Sequence, residues 1–154
     1  MHPLQEMMNK RRAGITCGIP SYCSANELVI EAVLERAKET DTPALIEATA
    51  NQVNQFGGYT GMKPQDFMDF VLTIAKKIGC REELIILAGD HLGPLTWKNE
   101  AEKSAMEKSE ELVRQYVLAG FTKIHLDTSM KLGDDAIELP LATEVIAKRG
   151  VRLY

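Results

Sequence analysis

No stretch of this sequence approaches the run of about 18 apolar residues that a bilayer-spanning helix needs. Its opening residues, Met1-His2-Pro3-Leu4-Gln5, lack the apolar core of a secretory signal. Cysteine is scarce and odd in number, and Cys17, Cys23 and Cys80 stand at spacings that match neither zinc nor redox patterns. This argues against a disulfide framework and for a reduced, cytoplasmic setting, with Cys17 and Cys23 as small buried hydrophobes. Positive charge is also short: 18 Lys+Arg face 22 Asp+Glu, for a net charge of −4. A nucleic-acid surface carries a basic stripe, and the one basic cluster here, Lys10-Arg11-Arg12, reads as a solvated N-terminal helix face. No G-x-x-x-x-G-K-[ST] motif is present, which excludes a P-loop. Linkers and low-complexity segments are missing too, so residues 1–154 read as a single domain. At 154 residues the chain falls short of the roughly 250 that a complete β/α barrel takes.

What the sequence does contain is a regular alternation. Apolar strand candidates fall at Ile15–Ile19, Pro43–Thr49, Leu84–Gly89 and Lys123–Asp127. A helical pattern follows each of the first three. The first opens at Ser24-Ala25-Asn26-Glu27, which has the form of a capping box, and places Val29, Ile30, Val33 and Ala37 on one face. The second starts at Pro64, repeats at Phe67, Phe70, Val71, Ile74 and Ile78, and stops at Gly79. The third is capped near Asn99, turns Leu112, Val113, Tyr116 and Val117 inward, and closes at Gly120. Residues from Thr143 onward read as a fourth helix in preference to a helix followed by a fifth strand. Strands alternating with amphipathic helices predict an α/β fold with right-handed crossovers and a parallel sheet. The expected chain is about four βα units, the N-terminal half of a (β/α)8 barrel, stopping within a helix.

Ligands of parallel α/β folds bind beyond the carboxyl ends of the strands. Those ends read Ser21-Tyr22-Cys23-Ser24, Glu47-Ala48-Thr49, Asp90-His91 and His125-Leu126-Asp127-Thr128-Ser129, all polar. Alternation along a strand puts Glu47, His125 and Asp127 on the face turned away from the helices. Glu47 is either a structural acid paired with a lysine such as Lys123 or a binding group. His125, in mid-strand, reads first as a satisfied core histidine and second as a ligand. Asp90-His91 is the sharper pair, an imidazole for a divalent metal beside a carboxylate for proton transfer. Gly57-Gly58-Tyr59-Thr60-Gly61 reads as a phosphate cradle, a mobile lid or an ordinary turn. Trp97 either anchors a partner surface or covers the third helix.

Three blocks carry a family resemblance: Glu47-Ala48-Thr49-x-Asn51-Gln52-Val53-x-Gln55-Phe56-Gly57-Gly58-Tyr59-Thr60-Gly61-Met62, Gly89-Asp90-His91-Leu92-Gly93-Pro94-x-x-Trp97, and Lys123-Ile124-His125-Leu126-Asp127-x-Ser129-Met130. They closely resemble the non-catalytic subunit of bacterial D-tagatose-1,6-bisphosphate aldolase, from about residue 4 to the end. The resemblance implies a β/α barrel related to class II, zinc-dependent aldolases, acting in galactitol and N-acetylgalactosamine breakdown. There a catalytic subunit cleaves tagatose bisphosphate to dihydroxyacetone phosphate and glyceraldehyde 3-phosphate, and the subunit resembled here supports its activity and stability. The alternative is an enzyme in its own right, a metal aldolase or a tagatose-6-phosphate kinase, a label the family has also carried. Carried over residue by residue, Asp90 takes the proton-transferring place in vestigial or partner-dependent form, and His91 a zinc-ligand place. Glu47, Asn51, Gln52, Gly57, Gly58, His125, Asp127 and Ser129 become the expected sugar-phosphate contacts. The aldolase site needs further histidines from later strands, whereas this chain has only His2, His91 and His125. Zinc is therefore expected through a partial site or through the partner subunit. A class II aldolase catalytic subunit and further copies of this chain are the expected partners.

Overall fold

A computed structural model describes residues 1–154. Four parallel strands lie in the order β1-β2-β3-β4: β1 (Ser21–Cys23), β2 (Ala44–Thr49), β3 (Ile85–Leu92) and β4 (Lys123–Leu126). Helices α2 (Glu27–Thr40), α3 (Pro64–Ile78) and α4 (Glu102–Leu118) form the crossovers. Helix α1 (Pro3–Arg12) precedes them and α5 (Thr143–Leu153) follows β4. Each strand lies beside the next in sequence, the arrangement of part of a β/α barrel. The alternating parallel architecture is the one the sequence predicts, and the tail is indeed a helix.

The core divides along the sheet. Ile46, Ala48 and Leu87 on one face pack with Ile30, Leu34, Phe67, Val71, Leu112 and Tyr116 of the helices. On the other face Leu45, Ile86 and Ala88 form a smaller cluster, closed below by Leu4 of α1 and by Ile19. Strand β2 is thus buried on both sides, as a central parallel strand should be. The Lys10-Arg11-Arg12 face of α1 is exposed, as expected.

Several local expectations are corrected. The first strand is Ser21–Cys23, because β2 begins only at Ala44 and the register opens at Ser21↔Leu45, so Ile15–Ile19 has no strand to pair with. Helix α2 is capped by Asn26, whose Oδ1 accepts the amides of Leu28 and Val29, while Ser24 Oγ accepts the Asn26 amide one turn earlier. Val29 and Val117 face solvent, and Leu34 takes the inward position instead. Cys17 is half-buried and Cys23 exposed; only Cys80 is buried. Strand β3 runs on through Asp90 and His91, which were expected just beyond its end.

The start of α4 is the largest departure. Asn99 does not cap it. Its cap residue is Ala101, which has no side-chain acceptor, and Asp134 Oδ1 accepts the Glu102 amide at 2.8 Å from the β4–α5 connection. The same region carries the only strongly buried arginine. Arg149 of α5 is 1% exposed; it donates to Glu102 Oε2 at 2.6 Å and to both Asp135 oxygens at 2.8 and 2.9 Å. Its Nη1 also reaches the Met130 carbonyl. A single guanidinium therefore ties α4, α5 and the loop between β4 and α5.

Removing the buried guanidinium leaves Asp135 without its partner, while Glu102, 41% exposed, is screened by solvent. The cost should therefore fall at the lower end of the buried-pair range, about 3 kcal/mol. R149A is expected to lower stability by that order, read as a shift in the urea midpoint. Hydrogen bonds from Arg149 hold the Asp135 carboxyl below its usual range. Its contribution is therefore present above the unfolded carboxyl pKa of about 4 and is lost as pH falls through the lower folded value. Below pH about 4, wild type should lose more stability than D135N, which lacks this titration.

Candidate functional site

The face of the sheet opposite the helices becomes polar toward the carboxyl ends of the strands. Glu47 sits in its middle, 4% exposed, and its two oxygens are taken by Lys123 Nζ and Ser21 Oγ. The register explains the reach: Glu47 lies beside Ala88, and Ala88 beside Lys123. The fully buried Ala88 side chain is small enough for the lysine to cross over β3 to the carboxylate. Of the two readings of Glu47, the structural pairing with Lys123 is realised.

One step further along, β3 is irregular. Its pairing with β4 slips between Gly89 and Leu92, and His91 has φ 49°, the left-handed region that a non-glycine residue seldom enters. Strict alternation would send Asp90 and His91 to opposite faces; the bulge turns both toward His125. Asp90 Oδ1 lies 3.0 Å from His125 Nδ1 and 3.1 Å from His91 Nδ1, and the two rings are 4.3 Å apart between centroids. His125 is therefore not a core histidine: its side chain is 44% exposed and His91's is 51%. Burial pushes the Asp90 carboxyl up, but hydrogen bonds from both histidines and the charge of Lys123 outweigh it and hold it below its usual range. Asp90 is thus an anion facing two imidazoles, able to orient them or to exchange a proton with them. The three side chains could also hold a metal ion, since one ligand atom from each lies within 4.8 Å of the others.

The end of β4 is fixed by close backbone contact. The Asp127 amide donates to the Leu92 carbonyl, and a Cβ on Gly93 would overlap the Asp127 carbonyl oxygen. Asp127 Oδ1 accepts from the Ser129 amide at 2.9 Å and its hydroxyl at 2.6 Å. Partial burial raises this carboxyl, yet the Ser129 bonds and nearby His91 and His125 bring it below its ordinary value. Asp127 and Ser129 thus satisfy one another at the rim, outside the Asp90 cluster. Cys23 lies on the same face with its thiol toward Gln52 Oε1 at 3.6 Å. Although the residue as a whole is exposed, partial desolvation of its inward-turned sulfur, then the charges of Asp90 and Glu47, push this thiol up to about 11, so it stays protonated at neutral pH.

The loop from Ala50 to Lys63 is folded on itself. Asn54 Oδ1 accepts the amides of Phe56 and Gly58, the Gly57 amide reaches the Asn54 carbonyl, and the Tyr59 amide reaches that of Asn51. These amides are consumed internally, so the run is a knitted turn and not an open phosphate cradle. Gly58 is required there, with φ 54° and a Cβ position that would overlap the Gln52 carbonyl. Gln52 Oε1 accepts the Thr49 amide at 2.8 Å, and buried Tyr116 donates from α4 to the Val53 carbonyl at 3.0 Å. Asn51 stands at the surface, where it accepts from Thr96 Oγ1 at 2.8 Å. Together with Thr49, Ala50, Leu95, Thr96 and His91 it lines a cleft of about 170 Å³. Trp97 is 9% exposed and edge-on to Phe56, a core position.

A family model described as D-tagatose-1,6-bisphosphate aldolase subunit GatZ/KbaZ-like matches residues 4–154. The chain belongs to this family. It is 55% identical over 150 residues to the D-tagatose-1,6-bisphosphate aldolase subunit GatZ of Salmonella typhimurium, and 55% identical to that of Escherichia coli O1:K1. Each alignment covers 97% of this chain and 35% of the relative, so the chain spans about a third of the length of the curated relatives it matches. The crystal structure of a protein described as a "probable tagatose 6 phosphate kinase" from Sinorhizobium meliloti 1021 superposes with a TM-score of 0.85 at 52% identity. That match covers 89% of this chain and 35% of the other. In this GatZ/KbaZ-like chain, the structure groups Asp90, His91 and His125 tightly and sets Asn51 against His91. It places Glu47 below them in its own ion pair, and Asp127 with Ser129 at the rim.

Because Glu47 is buried and Lys123 only partly so, K123M should cost toward the lower end of the 3–5 kcal/mol typical of breaking a buried pair, about 3 kcal/mol. The double substitution E47Q/K123M removes both charges and should recover more than half of that loss. Denaturation midpoints of the two variants measure the difference.

Proposed function

We propose that this chain serves in a non-catalytic subunit that supports the activity and stability of a class II D-tagatose-1,6-bisphosphate aldolase, in cytoplasmic galactitol and N-acetylgalactosamine breakdown. The observation that carries this reading is the family match over residues 4–154, with relatives named as subunits of that aldolase. The inner face agrees with a supporting role, because much of its polar inventory is already committed. Glu47 is paired with Lys123, Asp127 accepts two hydrogen bonds from Ser129, and the Gly57 and Gly58 amides donate to Asn54. What stays open to a sugar phosphate is the cleft between Asn51 and His91, with the Asp90 cluster at its edge. The flank beyond β1 offers a docking surface for the catalytic subunit or for a further copy of the chain. Tyr22, Leu28, Val29, Ala32 and Val33 line an apolar depression there, and Leu28 is 77% exposed.

A second reading, an enzyme acting on sugar phosphates, is favoured by one observation, the convergence of Asp90 with two half-exposed histidines. In that reading Asp90 holds or moves a proton at the reacting carbon's hydroxyl, and Lys123 supplies positive charge nearby. A divalent ion bound by His91 would supply Lewis-acid polarisation. The tagatose-6-phosphate kinase form of this reading has no P-loop in the sequence to support it.

Co-expressed with the catalytic aldolase subunit, the chain is expected to co-elute with it, raise its melting temperature by several degrees and increase its cleavage rate. Alone it should show no aldol cleavage and no ATP turnover. Neither association nor stabilisation in the mixed sample would overturn the supporting role, and turnover by the isolated chain would establish the enzyme reading.

A further inference from the structure

We propose that helix α1 is an acid-released plug on the floor of the sheet, latched there by the neutral imidazole of His2. Leu4 of α1, with Ile19, closes the small cluster of Leu45, Ile86 and Ala88 on the inner face. Yet α1 has no fully buried residue of its own. A cavity of about 190 Å³ separates it from the segment before β1, between Met7, Cys17, Ile19 and Pro43. A helix held so lightly depends on how its first turn is fastened.

That fastening is one side chain. Pro3, the first helical residue, has no N–H, and the amides of Gln5 and Glu6 both reach the His2 carbonyl. The Leu4 amide is left as the first-turn donor in need of a side chain, and His2 Nδ1 accepts it at 3.3 Å. An amide can only donate, so Nδ1 carries a lone pair and the ring proton sits on Nε2. From there it is directed to Thr122 Oγ1, 3.0 Å away at the start of β4. A neutral ring thus caps α1 and ties it to β4. A second proton can go only to Nδ1, where it would point at the Leu4 N–H and set a positive charge at a helix N-terminus. Capping and protonation exclude one another. The latch therefore tightens as pH rises through the range where imidazoles change charge, and loosens as it falls.

The charged groups around the ring are the Met1 ammonium and Glu6 on its own element, and Lys123 beside Thr122 on β4. Lys10 already takes the Glu6 carboxylate, and the Lys123 ammonium is turned to Glu47. Strands β2 and β3 bring only Leu45, Ile86 and Ala88 to this contact. An imidazolium at His2 would thus gain no carboxylate partner to offset the lost cap. Release also has a built-in reporter. The half-buried Cys17 thiol donates to the Met7 carbonyl of α1, so lifting α1 uncovers it, while Cys80 stays buried in the main core.

The test labels the untagged full chain with dithiodipyridine and follows Cys17 and Cys80 by peptide mass. Wild type, H2N and H2A are compared at pH about 7.5 and about 5.5, on either side of the imidazole range. Asparagine caps a helix at both and has no proton to gain, so H2N should stay latched; alanine cannot cap, so H2A should be loose at both. Relative to H2N, wild-type Cys17 should react equally fast at the higher pH. At the lower it should react roughly tenfold faster, the scale of one lost cap bond with a cation at the helix start. Hydrogen exchange in residues 3–12 should rise wherever Cys17 labelling does, and Cys80 labelling should not change across the set. A wild-type to H2N ratio that is the same at both pH values overturns the latch. So does an H2A variant that labels Cys17 no faster than H2N. Faster Cys80 labelling of wild type at the lower pH overturns local release in favour of general unfolding. Wild type against H2N decides the matter even if H2A fails to fold.

Discussion

A carboxylate placed in the middle of a sheet and cut off from water sets the terms for everything around it. Glu47 retains 4% of its surface exposure, and an unpaired charge there would be expelled or neutralised. Its two oxygens recruit Ser21 from β1 and Lys123 from β4, so one side chain gathers three of the four strands. The pairing works only because β3 contributes Ala88 between them. Below this layer the face is aliphatic and sealed by α1; above it, every outward position is polar. The ion pair thus marks the boundary between the aliphatic part of this face and its polar part.

Above that boundary the chain departs from regular geometry in one place, the bulge from Gly89 to Leu92. Its consequence is chemical. Two adjacent residues that a flat strand would separate converge with a third from β4, and the resulting cluster carries one anion between two titratable rings. The neighbouring elements are rigid: a knitted loop after β2, a buried Tyr116 hydroxyl beneath it, and a tight approach of β3 to the end of β4.

Periodicity made the architecture legible, since apolar strands and amphipathic helices of the right length leave few topologies. The face occupied by Glu47 and His125 follows from alternation alone, and so does the Glu47–Lys123 pair as one of two readings. The errors have local causes. Composition alone points to Ile15–Ile19 as the first strand, whereas strand status depends on where β2 begins. Asn26 displaced Ser24 as the cap because two helix amides fall within its reach. His125 reads first as a core histidine because the bulge on the neighbouring strand leaves only one faint sign in the sequence, Gly89, an isolated glycine within an apolar run. The cap of α4 could not be read at all, since its acceptor, Asp134, lies 32 residues away.

That distant cap has a kinetic meaning. Asp134 satisfies the first turn of α4, Asp135 beside it grips Arg149 of α5, and Arg149 returns to Glu102 in the same first turn. Peeling α5 away would therefore take Arg149 from Asp135 and Glu102 together and free the connection whose Asp134 caps α4. The last third of the chain should open to solvent as one cooperative unit, with amide protons from both helices exchanging together and not helix by helix.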